Sequence, residues 1–449
     1  MVTISRRKTP SDLARALRPA VIVIRATSLF TLRRLRGYAT LLAVCIWTIW
    51  IADFSISGPV DRLGKVKGTD FLHFYATGLL AHGGHWDQLY DLGAQYEAAR
   101  SVAPGSPDTI FIPIESPQTA LLFAPLAGQR YTVALAIWLA AIILLYAGCC
   151  FVMWKECRAL HGHRDLVVAS CAAFPGLYVL VLHGQLSCLA LACVTGALVA
   201  LRRGWTLSAG VALGLLVFKP HWVVAAAAVF LAAREWRVVA GAALGAAGQL
   251  AVTFVAAGSP VMAAYGRALR SLPRIAEFLE PRPGNSLRSV VKLLVPSETV
   301  ALALYAAAAL ATVIVASRIW RGRGPLEMRY SALVLALVLI NPHVGVYDLV
   351  LLAPVYFLLS NWLARSAEVK HRTALMGLLC ASFMAPLCGG LPAIIRIQLS
   401  VGTMAALLVL LWVDGHSVND GDFVDQTTGS LARRPLPGAG GCADPVAAR

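Results

Sequence analysis

A small set of polar side chains stands out from an otherwise apolar chain: Asp70, His73, His183, Gln185, Lys219, His221, Asn285, Arg288, His343, Tyr347 and Asp348. Their chemistry fits proton transfer and anion binding. A carboxylate at a membrane–water boundary takes a proton from a hydroxyl nucleophile. A lysine offers a compact positive charge and an arginine a planar fork, and both suit phosphate oxygens. A carboxylate at membrane depth, such as Asp348, is a functional candidate by default. Each residue also has a structural reading. Thr69 and Asp70 sit where a helix N-cap belongs, and Asp87 and Asp91 read as caps or anchors. Lys219 and His183 suit an interface, where a polar tip reaches water from an apolar body.

The elements that must position these groups follow from hydropathy. The chain has 449 residues, 58% hydrophobic and 14% charged, with mean hydropathy +0.70, far from soluble-domain composition. Several apolar runs reach the ~20 residues that cross a bilayer core, and in lipid such runs are helices. The expected fold class is therefore all-α, a polytopic membrane protein of about twelve spans. These fall near 38–54, 131–154, 165–182, 185–201, 205–218, 221–233, 237–257, 299–317, 328–341, 344–362, 372–388 and 391–413. The pair 205–218 and 221–233 also reads as a single hairpin or a re-entrant pair.

Residues 1–37 carry nine Lys or Arg against one acid, Asp12, so the positive-inside rule makes this N-terminal segment cytoplasmic. The connections that should then face the cytoplasm read KECRALHGHR, RRG, REWR, RIWRGRGPLE and LARSAEVKH. All are basic or mixed-basic, and the polar set above collects on the other side. The net charge of +16 is dispersed at membrane boundaries, which points to anionic lipid and away from nucleic acid. No cleavable signal peptide is evident, since the N-terminus is basic and interrupted by arginines. The tail 414–449 reads as a disordered cytoplasmic segment. Cysteines such as Cys45, Cys149, Cys150, Cys188 and Cys193 lie in apolar runs and read as buried apolar residues. No metal-ligand spacing, P-loop or GxSxG elbow appears, so no metal or other cofactor is expected.

Within the transmembrane domain, 38–413, two outer segments are long. In the first, 55–130, Asp70, His73 and Thr77 share one helix face, and Phe71, Tyr75 and Leu79 share another. That spacing predicts an amphipathic helix over 68–82 on the membrane surface, its apolar side in lipid or against the bundle. The stretch 111–130 is apolar and too short to span. The second, 258–298, carries Arg267, Arg270, Arg274, Arg282, Arg288 and Lys292. Long loops cross regardless of charge, and an anion site for phosphate is the alternative reading.

From about residue 38 to 362 the chain resembles glycosyltransferase family 87, the polyprenol-phosphate-mannose-dependent mannosyltransferases of the GT-C superfamily. The resemblance is carried by Asp70-Phe71 leading into Phe74-Tyr75-Ala76, Leu89-Tyr90-Asp91, and prolines 113, 117 and 125. Gly184-Gln185, Lys219-Pro220, Asn285-Ser286-Leu287-Arg288 and Pro342 with Tyr347-Asp348 follow in order. Phe111-Ile112-Pro113 replaces an expected paired proline, and Asn341-Pro342-His343 matches loosely. The resemblance implies a GT-C-like enzyme of the bacterial inner (cytoplasmic) membrane. It would move a sugar, mannose first, from a polyprenyl phosphate donor to a lipid or glycan acceptor on the extracytoplasmic face, with inversion. It makes Asp70 the general base and His343 a second proton-handling or acceptor-orienting residue. Lys219, Arg288 and His221 then bind the donor phosphate. His73, Tyr75, Gln185, Asn285, Tyr347 and Asp348 are left for acceptor or sugar. A transporter or flippase of lipid-linked sugars is the rival, though no internal repeat supports it. A non-catalytic scaffold is a third reading.

Overall fold

The computed structural model describes residues 31–104, 112–278, 284–366, 369–389, 394 and 396–417. Arg282, Phe111 and the tail from 418 lie outside these residues. Among the described residues the architecture is all-helical, with one isolated β-bridge, Val60 to Val66. Five helices are long and apolar enough to cross a membrane: Leu32–Phe54, Tyr131–Glu156, Trp236–Ser271, Glu298–Arg321 and Val346–Arg365. Arg158–Ala173 and Pro175–His183 make a further pair bent by 43°. Of the other expected spans, five correspond to shorter apolar helices, Ser187–Arg202, Thr206–Phe218, Pro220–Ala233, Arg372–Cys388 and Leu399–Gly415, and 328–341 corresponds to Leu326–Ile340. Hydropathy counts apolar residues and does not register where Pro175, Pro220 or a 3-10 turn cuts a run into pieces.

The centre of the bundle is the helix Leu326–Ile340, buried at every position from Tyr330 to Ile340. A helix apolar all round belongs inside other helices. It packs against Glu298–Arg321, Ala353–Arg365, Pro220–Ala233 and Leu399–Ser417. At its start Glu327 accepts from Arg365 at 2.9 Å and from Arg202 at 3.5 Å, and Arg202 also reaches Glu156 at 3.0 Å. These charged side chains thus pin four helices together.

Thr206–Gly214 lies almost in backbone contact with the start of Trp236–Phe278. A Cβ on Gly210 would stand 2.1 Å from the Val238 carbonyl oxygen, and one on Gly241 2.1 Å from that of Leu207. Gly214 and Gly245 repeat the contact four residues on, a small-residue seam typical of helix pairs in lipid.

Two expectations for the outer segments are corrected. The stretch from 258 is not an open loop. Gly258 (φ 81, ψ 166) kinks the helix, which continues to Phe278. Beyond the kink, Val261 packs with Leu80, Leu89 and Ala120, and the Tyr265 ring lies 5.9 Å from that of Tyr90. Nor does Thr69–His82 rest on a surface with its polar stripe outward. From Phe71 to Ala81 only Leu79 is not buried. Pro117–Ala127 covers one side, with the Phe123 backbone so close that a Cβ on Gly78 would meet it at 2.7 Å. Leu92–Val102 covers another, where Gln95 Nε2 donates to Thr77 Oγ1 at 3.3 Å. Periodicity reports one helix's pattern and says nothing of later segments folding back over it.

Candidate active site

Asp70 stands in the first turn of Thr69–His82, but it does not cap it. The N-cap is Gly68 at φ 65, with no side-chain cap bond. The carboxylate instead faces the junction after Pro175–His183. That helix ends on Gly184 in the left-handed region (φ 66), and Trp138 Nε1 donates to the Gly184 carbonyl at 2.7 Å. A Cβ on Gly184 would meet Phe71 Cβ at 2.7 Å. Only glycine allows both this backbone conformation and this approach. The approach brings Gln185 to Asp70: Gln185 Nε2 donates to Asp70 Oδ2 at 2.7 Å, with His183 Nδ1 at 3.7 Å from the same oxygen.

Lys219 closes the 3-10 turn Leu215–Phe218, and Pro220 starts the next helix. Its ammonium points inward, contrary to simple anchoring. Nζ lies 3.5 Å from Gln185 Oε1, 3.5 Å from Ser187 Oγ and 3.4 Å from Asp348 Oδ1. Asp348 is buried in the turn Val346–Leu352. Its Oδ2 accepts from the Gly345 amide at 2.8 Å and its Oδ1 from the Ser187 hydroxyl. The Tyr347 ring sits 5.6 Å from the lysine ammonium and 6.1 Å from the His183 ring. Two carboxylates, an ammonium, an amide and an aromatic ring therefore meet in one network.

Glu115 joins this network electrostatically and was missed from sequence. Desolvation raises its carboxyl pKa, Lys219 opposes that, and Asp70 and Asp348 reinforce it. It lines a crevice with His73, Thr77, Tyr90 and Gln95. A lone acid within FIPIESPQ was its signal, had the stretch been read at membrane depth. Ser187 gave no signal, since its partner Asp348 is 161 residues away.

The remaining candidates divide. The charges of Lys219, Asp348 and His343 reach His221. His343 is exposed, yet desolvation holds its pKa below the usual value. Lys219 and Arg288 push the same way, while Asp348 and Asp70 oppose them. The charge of Arg288, on Leu287–Leu294, thus reaches His343. His73 is buried, and burial lowers its pKa to about 4, so its ring is neutral near pH 7. Two side chains are engaged elsewhere. Tyr75 donates to the Gln129 carbonyl at 2.6 Å within an aromatic cluster of Phe71, Phe123 and Tyr131. Asn285 Oδ1 accepts from Ser400 at 2.7 Å, and its backbone amide bonds the Val344 carbonyl at 2.9 Å.

The family model for glycosyltransferase family 87 matches residues 114–342. The chain belongs to glycosyltransferase family 87. No curated protein and no solved structure matches it. The matched span of this glycosyltransferase holds Glu115, His183, Gln185, Lys219, His221, Asn285 and Arg288. Asp70, His73, Tyr75, His343, Tyr347 and Asp348 lie outside it, and hydrogen bonds tie Asp70 and Asp348 to Gln185 and Lys219 within it. With its long apolar helices, the glycosyltransferase is a multi-pass membrane protein.

Proposed function

We propose that this glycosyltransferase moves a sugar, mannose by family resemblance, from a polyprenyl phosphate carrier to a lipid or glycan hydroxyl, in a GT-C-like fold. The reaction takes place on the extracytoplasmic face of the bacterial inner membrane, with the N-terminus in the cytoplasm. One observation carries this reading: Gln185 bridges a carboxylate and an ammonium, touching Asp70 with its nitrogen and Lys219 with its oxygen. A single displacement needs one base beside one cationic site for the leaving group.

Asp70 takes the acceptor hydroxyl's proton through the oxygen that Gln185 leaves free. The acceptor oxygen bonds the anomeric carbon from the face opposite the phosphate, and configuration inverts. The carbon–phosphate oxygen bond breaks, and its electron pair stays on the phosphate. Lys219 holds that charge, with Arg288 and His221 at its edge. His343 orients the acceptor or passes its proton on. Gln185, Tyr347, Asp348 and His73 shape the sugar and acceptor side, and Tyr75 and Asn285 support that side from behind. A single carboxylate base suffices, unlike hydrolysis by paired carboxylates.

The test is incubation of purified protein with labelled polyprenyl phosphate sugars. Wild-type protein should yield a glycosylated lipid or glycan, and Asp70→Asn should lower the rate about 10²–10⁴-fold while the protein stays folded. Undiminished turnover in Asp70→Asn removes the base assignment. Donor translocation without turnover by wild-type protein would favour the transporter or flippase reading.

A further inference from the structure

A second cavity lies at the opposite end of the bundle. The helix Leu326–Ile340 runs from it to the candidate active site, 15 residues or about 22 Å away. The cavity holds about 350 Å³ and is lined by Arg318, Ile319, Met328, Trp412 and the turn glycines Gly322 and Gly324. The Arg318 guanidinium lies 5.8 Å over the Trp412 ring. Arg321 and Arg323 are exposed on the same turn. Among the described residues the nearby acids are engaged: Glu327 with Arg365 and Arg202, Asp414 with His371. The rim is therefore positive.

Apolar strips lead to that rim. Leu310 and Ile314, exposed by 61% and 41%, share a helix face with Arg318 at i, i+4 and i+8. Val409 and Val413 are exposed on the helix that packs alongside and carries Trp412. A cation and an indole at the end of an apolar strip suit a molecule with an anionic head and a long hydrocarbon tail.

We infer that this cavity is a binding site for the phosphate headgroup of an anionic lipid, whose acyl chains lie along Leu310, Ile314, Val409 and Val413. The site is separate from the active site and does not depend on the proposed reaction. A free phosphate anion would satisfy the arginine but leave the apolar strips unused.

Native mass spectrometry on the full-length protein, released from nanodiscs of phosphatidylglycerol or of phosphatidylcholine, tests the inference. Wild-type protein should keep phosphatidylglycerol preferentially. Arg318→Glu should lower the lipid-bound fraction about tenfold, the scale of one charge-assisted hydrogen bond. Arg318→Gln should show a smaller loss should the Glu variant fail to fold, and Arg33→Gln, at an exposed arginine of Leu32–Phe54, should show none. Unchanged retention in both Arg318 variants overturns the site. So does equal retention of phosphatidylcholine, or an inorganic phosphate adduct in place of lipid.

Discussion

Gln185 Nε2 lies 2.7 Å from Asp70 Oδ2, across 115 residues of chain. The amide holds one oxygen of the carboxylate. Its own oxygen lies 3.5 Å from the Lys219 ammonium and 3.1 Å from the Leu186 amide, and both donate to it. The side chain thus has little freedom to turn over.

In the proposed reaction that bridge makes Gln185 a positioning residue for Asp70. Gln185→Leu keeps the volume and removes both contacts, so it should lower kcat about tenfold or more with little change in KM. Steady-state kinetics with the labelled donor measures the split. A KM effect alone would move Gln185 from base alignment to sugar binding.

Lys219 and Asp348 form a largely buried pair, their side chains 13% and 3% exposed. Lys219→Ala strands the carboxylate and should cost about 3–5 kcal/mol of stability. Replacing both with apolar residues of similar volume, Lys219→Met with Asp348→Leu, should recover most of that stability. The double variant should remain inactive and bind donor weakly. If it regained transfer, the lysine would serve the fold alone.

His73 gives a pH signature. Its pKa is about 4 in the folded protein against 6.5 for an ordinary histidine. Below pH 6.5 the unfolded chain takes up a proton that the folded state refuses, so stability falls as the pH drops from 6.5 towards 4. The difference in melting temperature between wild type and His73→Gln, with pH 8 as the reference, should shift against wild type on acidification. Parallel curves would show that the ring is not desolvated.

The glycine seam predicts a contrast within one helix. Gly241→Ala must push Leu207 and its helix away, at about 1–3 kcal/mol for overpacking. Gly248, with nothing within 4 Å of its would-be Cβ, should accept alanine with no loss. Thermal unfolding in detergent compares the two, and equal effects would contradict the close helix crossing.

Much of the site was legible because membrane chemistry penalises stray polar groups. Asp70, Gln185, Lys219 and Asp348 stood out for that reason, and they do meet. The helical fold followed from hydropathy on the same grounds. What stayed hidden was relational. No local pattern distinguishes Asp70 as a cap from Asp70 as a partner of Gln185, and only the close approach of Gly184 to Phe71 decides it. Asp91, by contrast, does cap its helix, accepting from the Ala94 amide at 2.8 Å. The breaks at Pro175 and Pro220 were visible as letters, but the 43° bend at Pro175 depends on neighbours that residue counts do not contain. Tyr75 and Asn285 were chosen for their chemistry, yet their polar atoms meet the Gln129 carbonyl and the Ser400 hydroxyl.

The contact between Lys219 and Asp348 spans 129 residues, which sets an order of events at the ribosome. The ammonium enters the bilayer region well before its carboxylate has been synthesised. Until the Val346–Leu352 turn emerges, Lys219 lacks its 3.4 Å carboxylate partner. The link between the Lys219 and Asp348 turns is consequently among the last contacts the growing chain can make, and a polypeptide released short of residue 348 would lack it.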